Sequence, residues 1–98
     1  MVAPKPNETR LAGTVRRVRP NQQRPNFSEL VVAVDRADDV EGRANLLADT
    51  PGGELTVTTD AKEVTELGLQ PGERVVIGAE VRGPGAVWSR PRAVRRGG

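Results

Sequence analysis

The sequence "ELTVTTDAKEVTELGLQPGERVVIGAEV" (residues 54–81) predicts one short helix set between two strands. Asp60 is suited to cap a helix over residues 60–67, and Gly68 is suited to end it. Pro71-Gly72 favours the centre of a type II turn. Alternating apolar residues lie on both sides of the helix, with the period of a half-buried strand. The segment therefore predicts strand, helix, turn and strand in close succession.

Further strands are predicted on both sides of this segment. The five predicted strands cover residues 10–19, 28–34, 54–59, 75–81 and 86–89. Valine is the most frequent apolar residue, and its branched Cβ favours the pleated surface of a sheet. Residues 35–53 leave two interpretations open. Either the second strand continues into a long hairpin with Leu46 and Leu47 packed back, or the stretch forms a short helical turn.

In this order of elements, residues 10–89 resemble the OB-fold proteins. The resemblance implies an all-β, five-stranded Greek-key barrel with one short helix between strands 3 and 4. Val15 and Val18 lie three residues apart, so they can share one face only if the first strand bulges or bends, and Gly13 suits such a bend. The alternative fold is another small barrel of the SH3-like kind. The predicted organisation is a flexible N-terminal arm (1–9), the barrel (10–89) and a basic disordered tail (90–98).

A more local resemblance covers residues 58–88. The stretch "TTDAKEVTELGLQPGERVVIGAEVRGPGAVW" is similar to the end of the TOBE domains of molybdate-binding proteins and transporter ATPases. In those domains a strand, a short helix, "LGL", a Pro-Gly turn and a Val-rich strand follow in the same order. The resemblance implies oxyanion binding, often at subunit contacts. The position where that family often carries a serine falls near Glu63, whose charge would repel molybdate.

Composition excludes several kinds of chemistry. The chain has no Cys and no His, which rules out thiolate zinc sites, cysteine nucleophiles and imidazole bases. Ser28 and Ser89 therefore have no His partner, and we expect neither enzymatic activity nor a cofactor nor a metal. No apolar run approaches the roughly 20 residues that cross a bilayer, and "MVAPKPNETR" lacks the apolar segment of a signal peptide. We expect a cytoplasmic protein without a membrane partner.

Charge is distributed unevenly along the chain, whose net charge is +2. Residues 35–66 carry nine acidic and three basic residues, a net charge of −6, so the remainder carries +8. This asymmetry predicts opposed electrostatic faces. Arginine greatly outnumbers lysine, and its planar guanidinium is the better bidentate partner for phosphate.

The candidate binding residues are basic or aromatic. They are Arg16, Arg17, Arg19, Arg24, Arg82, Trp88, Arg90 and Arg92. The loop between strands 1 and 2 of an OB-fold rims the usual ligand face, where arginines could neutralise phosphates and a tryptophan could stack on a base. Strand alternation predicts that Arg16 and Arg17 point to opposite sides, so that only one of them shares a face with Arg19. We expect Phe27 in the core, and Trp88 either in the core or exposed.

These features predict a non-enzymatic module that binds single-stranded nucleic acid or another polyanion through an Arg-rich face. A protein-protein assembly module is the first alternative, with a protein partner or a second copy docking on a strand edge or a charged face. A TOBE-like oxyanion-binding domain is the second alternative.

Overall fold

The structure is a computed structural model that describes residues 6–97. Its elements are β1 (Thr9–Pro20), β2 (Phe27–Asp39), β3 (Glu54–Asp60), α1 (Ala61–Leu67), β4 (Arg74–Gly83) and β5 (Ala86–Arg96). The strands close into a barrel in the order β1-β2-β3-β5-β4. All pairings are antiparallel except the β3–β5 contact, which joins Thr58 to Trp88. The prediction of an all-β barrel with one short helix after the third strand is confirmed at this level.

One hydrophobic core fills the barrel. Leu30 and Val32 point inward from β2, Ile77 points inward from β4, and all three are fully buried. Val64 brings α1 against this core. Burying a side chain of this size stabilises the fold by roughly 1.5–3 kcal/mol. No helix among residues 6–97 is long and apolar enough to cross a membrane.

The ends of α1 follow the predicted capping. The Asp60 carboxylate accepts a hydrogen bond from the Lys62 N–H at 2.8 Å, and Gly68 ends the helix in the left-handed conformation with φ 61°. The following turn is closed by a hydrogen bond from the Glu73 N–H to the Gln70 carbonyl at 3.1 Å. These caps explain why so short a helix begins and ends where it does.

A bulge at Arg16 explains the spacing of Val15 and Val18. The β1–β2 register shifts between Val15 and Arg17, which makes Arg16 the extra residue. Val15 is fully buried and Val18 packs against the core, so Arg16 and Arg17 both lie on the outside of the barrel. The expectation that they point to opposite sides is wrong, because the bulge inserts one residue into the alternation. Arg19, next after Val18, is exposed on the same side.

Gly13 marks a second irregularity between β1 and β2. The register shifts between Ala12 and Gly13, and Asp35 is the extra residue on β2. A Cβ atom on Gly13 would overlap the carbonyl oxygen of Ala33, which is backbone and cannot rotate away. The bend predicted at Gly13 is therefore present, and the close approach of the two strands requires glycine there.

The disordered tail predicted from residue 90 is wrong for residues 90–96, which belong to β5. Val94 is buried and pairs with Ile77, and Ser89 pairs with Ala79, so residues 90–93 bulge out between these pairs. The bulge hid the strand from sequence reasoning, because it contains Pro91 and breaks the alternation between Ser89 and Val94. Residue 98 lies outside the described residues.

The predicted N-terminal arm is only partly within the described residues, since residues 1–5 lie outside them. Asn7 is held in place: its amide donates to the Val81 carbonyl at 3.1 Å and accepts from the Val81 N–H at 2.7 Å. Thr9 is buried and begins β1. The prediction of a flexible arm is therefore wrong for residues 7–9, because the Asn7 hydrogen bonds and the pairing of Thr9 with Ala79 tie them to β4.

Two structures were left open for residues 35–53, a long hairpin or a short helical turn. The structure agrees in part with the first. β2 continues to Asp39, and the chain then returns through turns without forming a helix. Leu47 packs into the core, whereas Leu46 is 58% exposed. The expectation that both leucines pack back is therefore correct only for Leu47.

Candidate functional site

Trp88 lies on the outside of the barrel, where β5 meets β3, and is half-buried. The Arg82 guanidinium carbon lies 4.3 Å from the centroid of its ring, and that of Arg24 lies 5.3 Å away. The Phe27 ring packs against it in a T-shaped arrangement, with the centroids 4.9 Å apart. We call these four residues the Trp88 cluster. It brings the β1–β2 loop and the start of β2 together with the end of β4 and the start of β5, two parts of the chain that are distant in the sequence.

The β1–β2 loop holds Arg24 in position. The Asn21 side-chain oxygen accepts hydrogen bonds from the N–H groups of Gln23 and Arg24, each at 3.0 Å. The Phe27 N–H donates to the Arg24 carbonyl at 2.9 Å. This Asx-type arrangement is a local way of fixing a turn without regular structure. Arg24 is therefore carried by an ordered loop although its side chain is exposed.

Glu80 orients Arg82. The Glu80 Oε1 atom accepts hydrogen bonds from Nε and Nη2 of Arg82, at 3.1 and 3.0 Å. Both side chains are partly exposed, and such surface pairs contribute at most about 1 kcal/mol. The guanidinium is thus aligned over the ring but can be displaced at little cost.

The prediction that Phe27 belongs to the core is wrong. Leu30 and Val32 point into the barrel, so alternation along β2 places Phe27 outside, on the same face as Glu29 and Val31. The sequence contained this signal, but the small number of aromatic residues favoured a core assignment. Trp88, for which two positions were open, is outside as well.

The outer face of β1, β2 and β3 is continuous with the Trp88 cluster. One row of cross-strand neighbours runs from Arg19 through Glu29 and Thr58 to Trp88. Residues directly opposite each other on neighbouring strands point to the same face. In the next row Arg17 lies opposite Val31, which is only 4% exposed although it stands apart from the core. The face therefore combines basic side chains with a covered apolar centre.

The arginines of this face differ in their partners. The Arg16 Nε lies 3.9 Å from a Glu54 oxygen, and the Arg19 Nε lies 2.9 Å from a Glu29 oxygen. Among residues 6–97, no carboxylate lies within ion-pair distance of Arg17 or Arg24. Arg17 and Arg24 therefore leave two uncompensated positive charges, that of Arg24 over the Trp88 ring and that of Arg17 on the face that continues from it.

Two ion pairs join the acidic stretch, residues 35–66, to arginines from the basic remainder of the chain. Glu54 and Asp35 both come from the acidic stretch, and they form ion pairs with Arg16 and Arg74 from outside it. Opposed faces were predicted because the charges are separated along the chain. The barrel instead places neighbouring strands from the two parts side by side.

Arg90 and Arg92 stand apart from the other predicted residues. The Arg90 guanidinium lies 3.3 Å from a Glu8 oxygen and 3.7 Å from a Glu80 oxygen, so its charge is already compensated. Arg92 adopts a left-handed conformation with φ 58° in the β5 bulge and lies beside α1. The structure thus brings Arg24, Arg82 and Trp88 together and leaves these two outside the cluster.

A small cavity of about 180 Å³ adjoins the aromatic pair. We call it the Trp88 pocket; it is lined by Phe27, Asp60, Glu63, Arg82, Trp88, Ser89 and Pro91. Sequence reasoning missed its two carboxylates. Asp60 was identified only as a helix cap, and nothing in the sequence links Glu63 to β5. Asp60 reaches the pocket because it pairs with Phe27 at the end of β3.

Burial raises the pKa of Glu63 above its ordinary value of 4.5, and the nearby Asp60 charge adds to the effect. A hydrogen bond from the Arg92 backbone N–H opposes it. Because the pKa is raised in the folded state, the contribution of Glu63 to stability is fully present below pH 4.5. That contribution is lost as the pH rises through the folded-state pKa.

Comparison with known proteins finds no family model and no curated protein that matches the chain. The function is therefore inferred from the Trp88 cluster and the face that continues from it.

Proposed function

We propose that the chain is an OB-fold binding module that engages single-stranded nucleic acid. The proposal is supported by the strand order of the closed barrel and the helix between β3 and β4, which match the order of that fold. OB-folds bind oligonucleotides on the face of strands 2 and 3, between the loops that follow strands 1 and 4. Arg24 comes from the β1–β2 loop, and Arg82 and Trp88 flank the β4–β5 turn.

The observation that carries the proposal is the Trp88 cluster, a half-exposed aromatic ring with two guanidinium groups over it. Stacking a base on an aromatic side chain is worth roughly 1–3 kcal/mol. An exposed cation–π contact is worth about 0.5–1 kcal/mol. Exchanging a guanidinium for a base on Trp88 is therefore favourable, and the released arginine can pair with a phosphate.

The outer face supplies the phosphate contacts. Arg17 and Arg24 are not committed to any carboxylate of the described chain, and the exposed Arg16 and Arg19 pairs are weak enough to exchange for phosphate. Guanidinium groups match phosphate oxygens in bidentate geometry. The bound nucleic-acid strand would thus run along β1 and β2 toward Trp88.

No specific observation favours the other two functions predicted from the sequence. Against a TOBE-like function, the start of the helix carries two carboxylates, Asp60 and Glu63, and neither forms an ion pair among residues 6–97. Their negative charges disfavour an oxyanion there. Protein assembly remains a prediction, as does binding of a polyanion other than nucleic acid.

Titration of a labelled single strand at several salt concentrations tests the proposal. We expect binding at low salt that weakens as salt is added, because each neutralised phosphate contributes about −0.7 to the slope of log K against log salt. The Arg17→Gln/Arg24→Gln double variant should bind more weakly and reduce the slope by about 1.4.

The Arg43→Gln variant, which removes one positive charge where the double variant removes two, is the control for position. Arg43 follows the far end of β2 from Phe27, is exposed, and forms no ion pair among residues 6–97. Its substitution should leave both affinity and slope nearly unchanged. Absence of binding at low salt would refute the proposal, and equal losses in the double variant and the control would place binding elsewhere.

A further inference from the structure

Resting on the proposed function, we propose that the Trp88 pocket selects a guanine base over thymine or uracil, and that Glu63 is the specificity-determining residue. The outer face would hold the backbone of any single strand. The pocket beside it would then read one base of that strand.

The size and walls of the pocket suit a single base. Its volume of about 180 Å³ is below the roughly 300–1,000 Å³ of pockets for drug-sized ligands. Phe27, Trp88 and Pro91 supply flat or apolar lining, and the other four lining residues are polar or charged. Proteins commonly recognise unpaired bases by this combination of stacking and hydrogen bonding to the Watson–Crick edge.

The two carboxylates have hydrogen-bonding capacity to spare. Asp60 uses one oxygen to cap α1, and Glu63 accepts one hydrogen bond from the Arg92 N–H. An ionised carboxylate offers about four acceptor positions. Among residues 6–97 no arginine or lysine forms an ion pair with either side chain. The lining of the pocket is therefore rich in acceptors that a ligand with donors would satisfy.

These acceptors discriminate among the bases. Guanine presents two adjacent donors, its N1–H and its N2 amino group, which one carboxylate can accept together. Thymine and uracil present carbonyl oxygens on both sides of their single N–H, and these oxygens would face the carboxylates. Arg82, also at the pocket, can donate to the O6 or N7 acceptors of guanine. A phosphate is excluded, because the pocket holds two acidic side chains and one basic one.

The test compares labelled strands that differ only at two central positions. The reference is an oligothymidylate of about 15 nucleotides, within reach of one OB-fold. In the matched strands two central thymines are replaced by guanine, adenine or cytosine. For the unmodified chain we expect the guanine strand to bind about ten-fold more tightly than the reference. In Glu63→Gln the difference should fall below about two-fold, with the affinity for the reference retained.

Glu66→Gln is the matched control. Glu66 lies on the same helix and carries the same charge, but it lines the neighbouring groove and not the Trp88 pocket. This variant should keep the guanine preference. Equal affinities for all four strands, a preference that survives in Glu63→Gln, or a preference lost equally in Glu66→Gln would each overturn the inference and leave the proposed function standing. Failure of every strand to bind at low salt would overturn the proposed function as well.

Discussion

Gly13→Ala is expected to destabilise the barrel by about 3 kcal/mol or more. The added methyl group would overlap the Ala33 carbonyl oxygen and also lie 2.9 Å from a Val32 methyl carbon. The carbonyl belongs to the β1–β2 ladder, so relief requires separating the two strands. These strands bend around the core at this point, which makes the whole barrel sensitive to the change.

Chemical denaturation measures the effect as a change in the free energy of unfolding, and a domain of this size should also lose on the order of 15 °C in Tm. Gly53→Ala is the matched control. A Cβ there would meet only the Thr50 carbonyl oxygen at 3.5 Å, an ordinary contact. We expect that variant to stay within about 0.5 kcal/mol of the unmodified chain. A Gly13→Ala protein as stable as the Gly53→Ala protein would show that the bend does not depend on glycine.

Trp88→Leu is expected to weaken binding of a single strand by about ten-fold or more, since one stacked base is worth roughly 1–3 kcal/mol. Leucine keeps an apolar side chain against Phe27, so the barrel should remain folded. The aromatic plane and its attraction for guanidinium groups are both lost. The affinity of Trp88→Phe should lie between those of the unmodified chain and Trp88→Leu, because phenylalanine keeps an aromatic ring of smaller area. Fluorescence anisotropy of a labelled strand measures the affinities.

Leu46→Ala provides the comparison for loss of exposed apolar surface. Leu46 is 58% exposed and lies in the β2–β3 connection, beyond the far end of β2 from Phe27. Its removal should leave affinity unchanged. If Trp88→Leu binds as tightly as Leu46→Ala while both remain folded, the aromatic ring has no part in binding.

The order of elements could be predicted because its signals are local. Asp60 and Gly68 set the ends of α1 through contacts within a few residues, and the alternation of Leu30 and Val32 identifies β2. The spacing of Val15 and Val18 also announced an irregularity. It could not show that the extra residue is Arg16, which turns three arginines of β1 to one side. Alternation alone therefore gives the wrong facing for the arginines that the proposed function uses.

The site itself depends on contacts between distant parts of the chain. Trp88 meets Arg24 and Phe27 only because the barrel closes between β3 and β5. The Trp88 pocket likewise needs the β5 bulge at Pro91, in a segment whose proline, glycines and charges are typical of disorder. Composition indicated which residue types would bind, namely arginines and a tryptophan. Only the three-dimensional structure shows that Arg24 and Arg82, and not Arg90 and Arg92, belong to the Trp88 cluster.

The emission of Trp88 tests the central claim most directly, because it is the only tryptophan of the chain. A base that stacks on its ring changes the intrinsic fluorescence without any label on the protein. We expect unlabelled single-stranded DNA to quench this emission to saturation at low salt, and added salt to reverse the quenching. Anisotropy that reports binding while the emission of Trp88 stays constant would contradict the claim that the strand stacks at the Trp88 cluster.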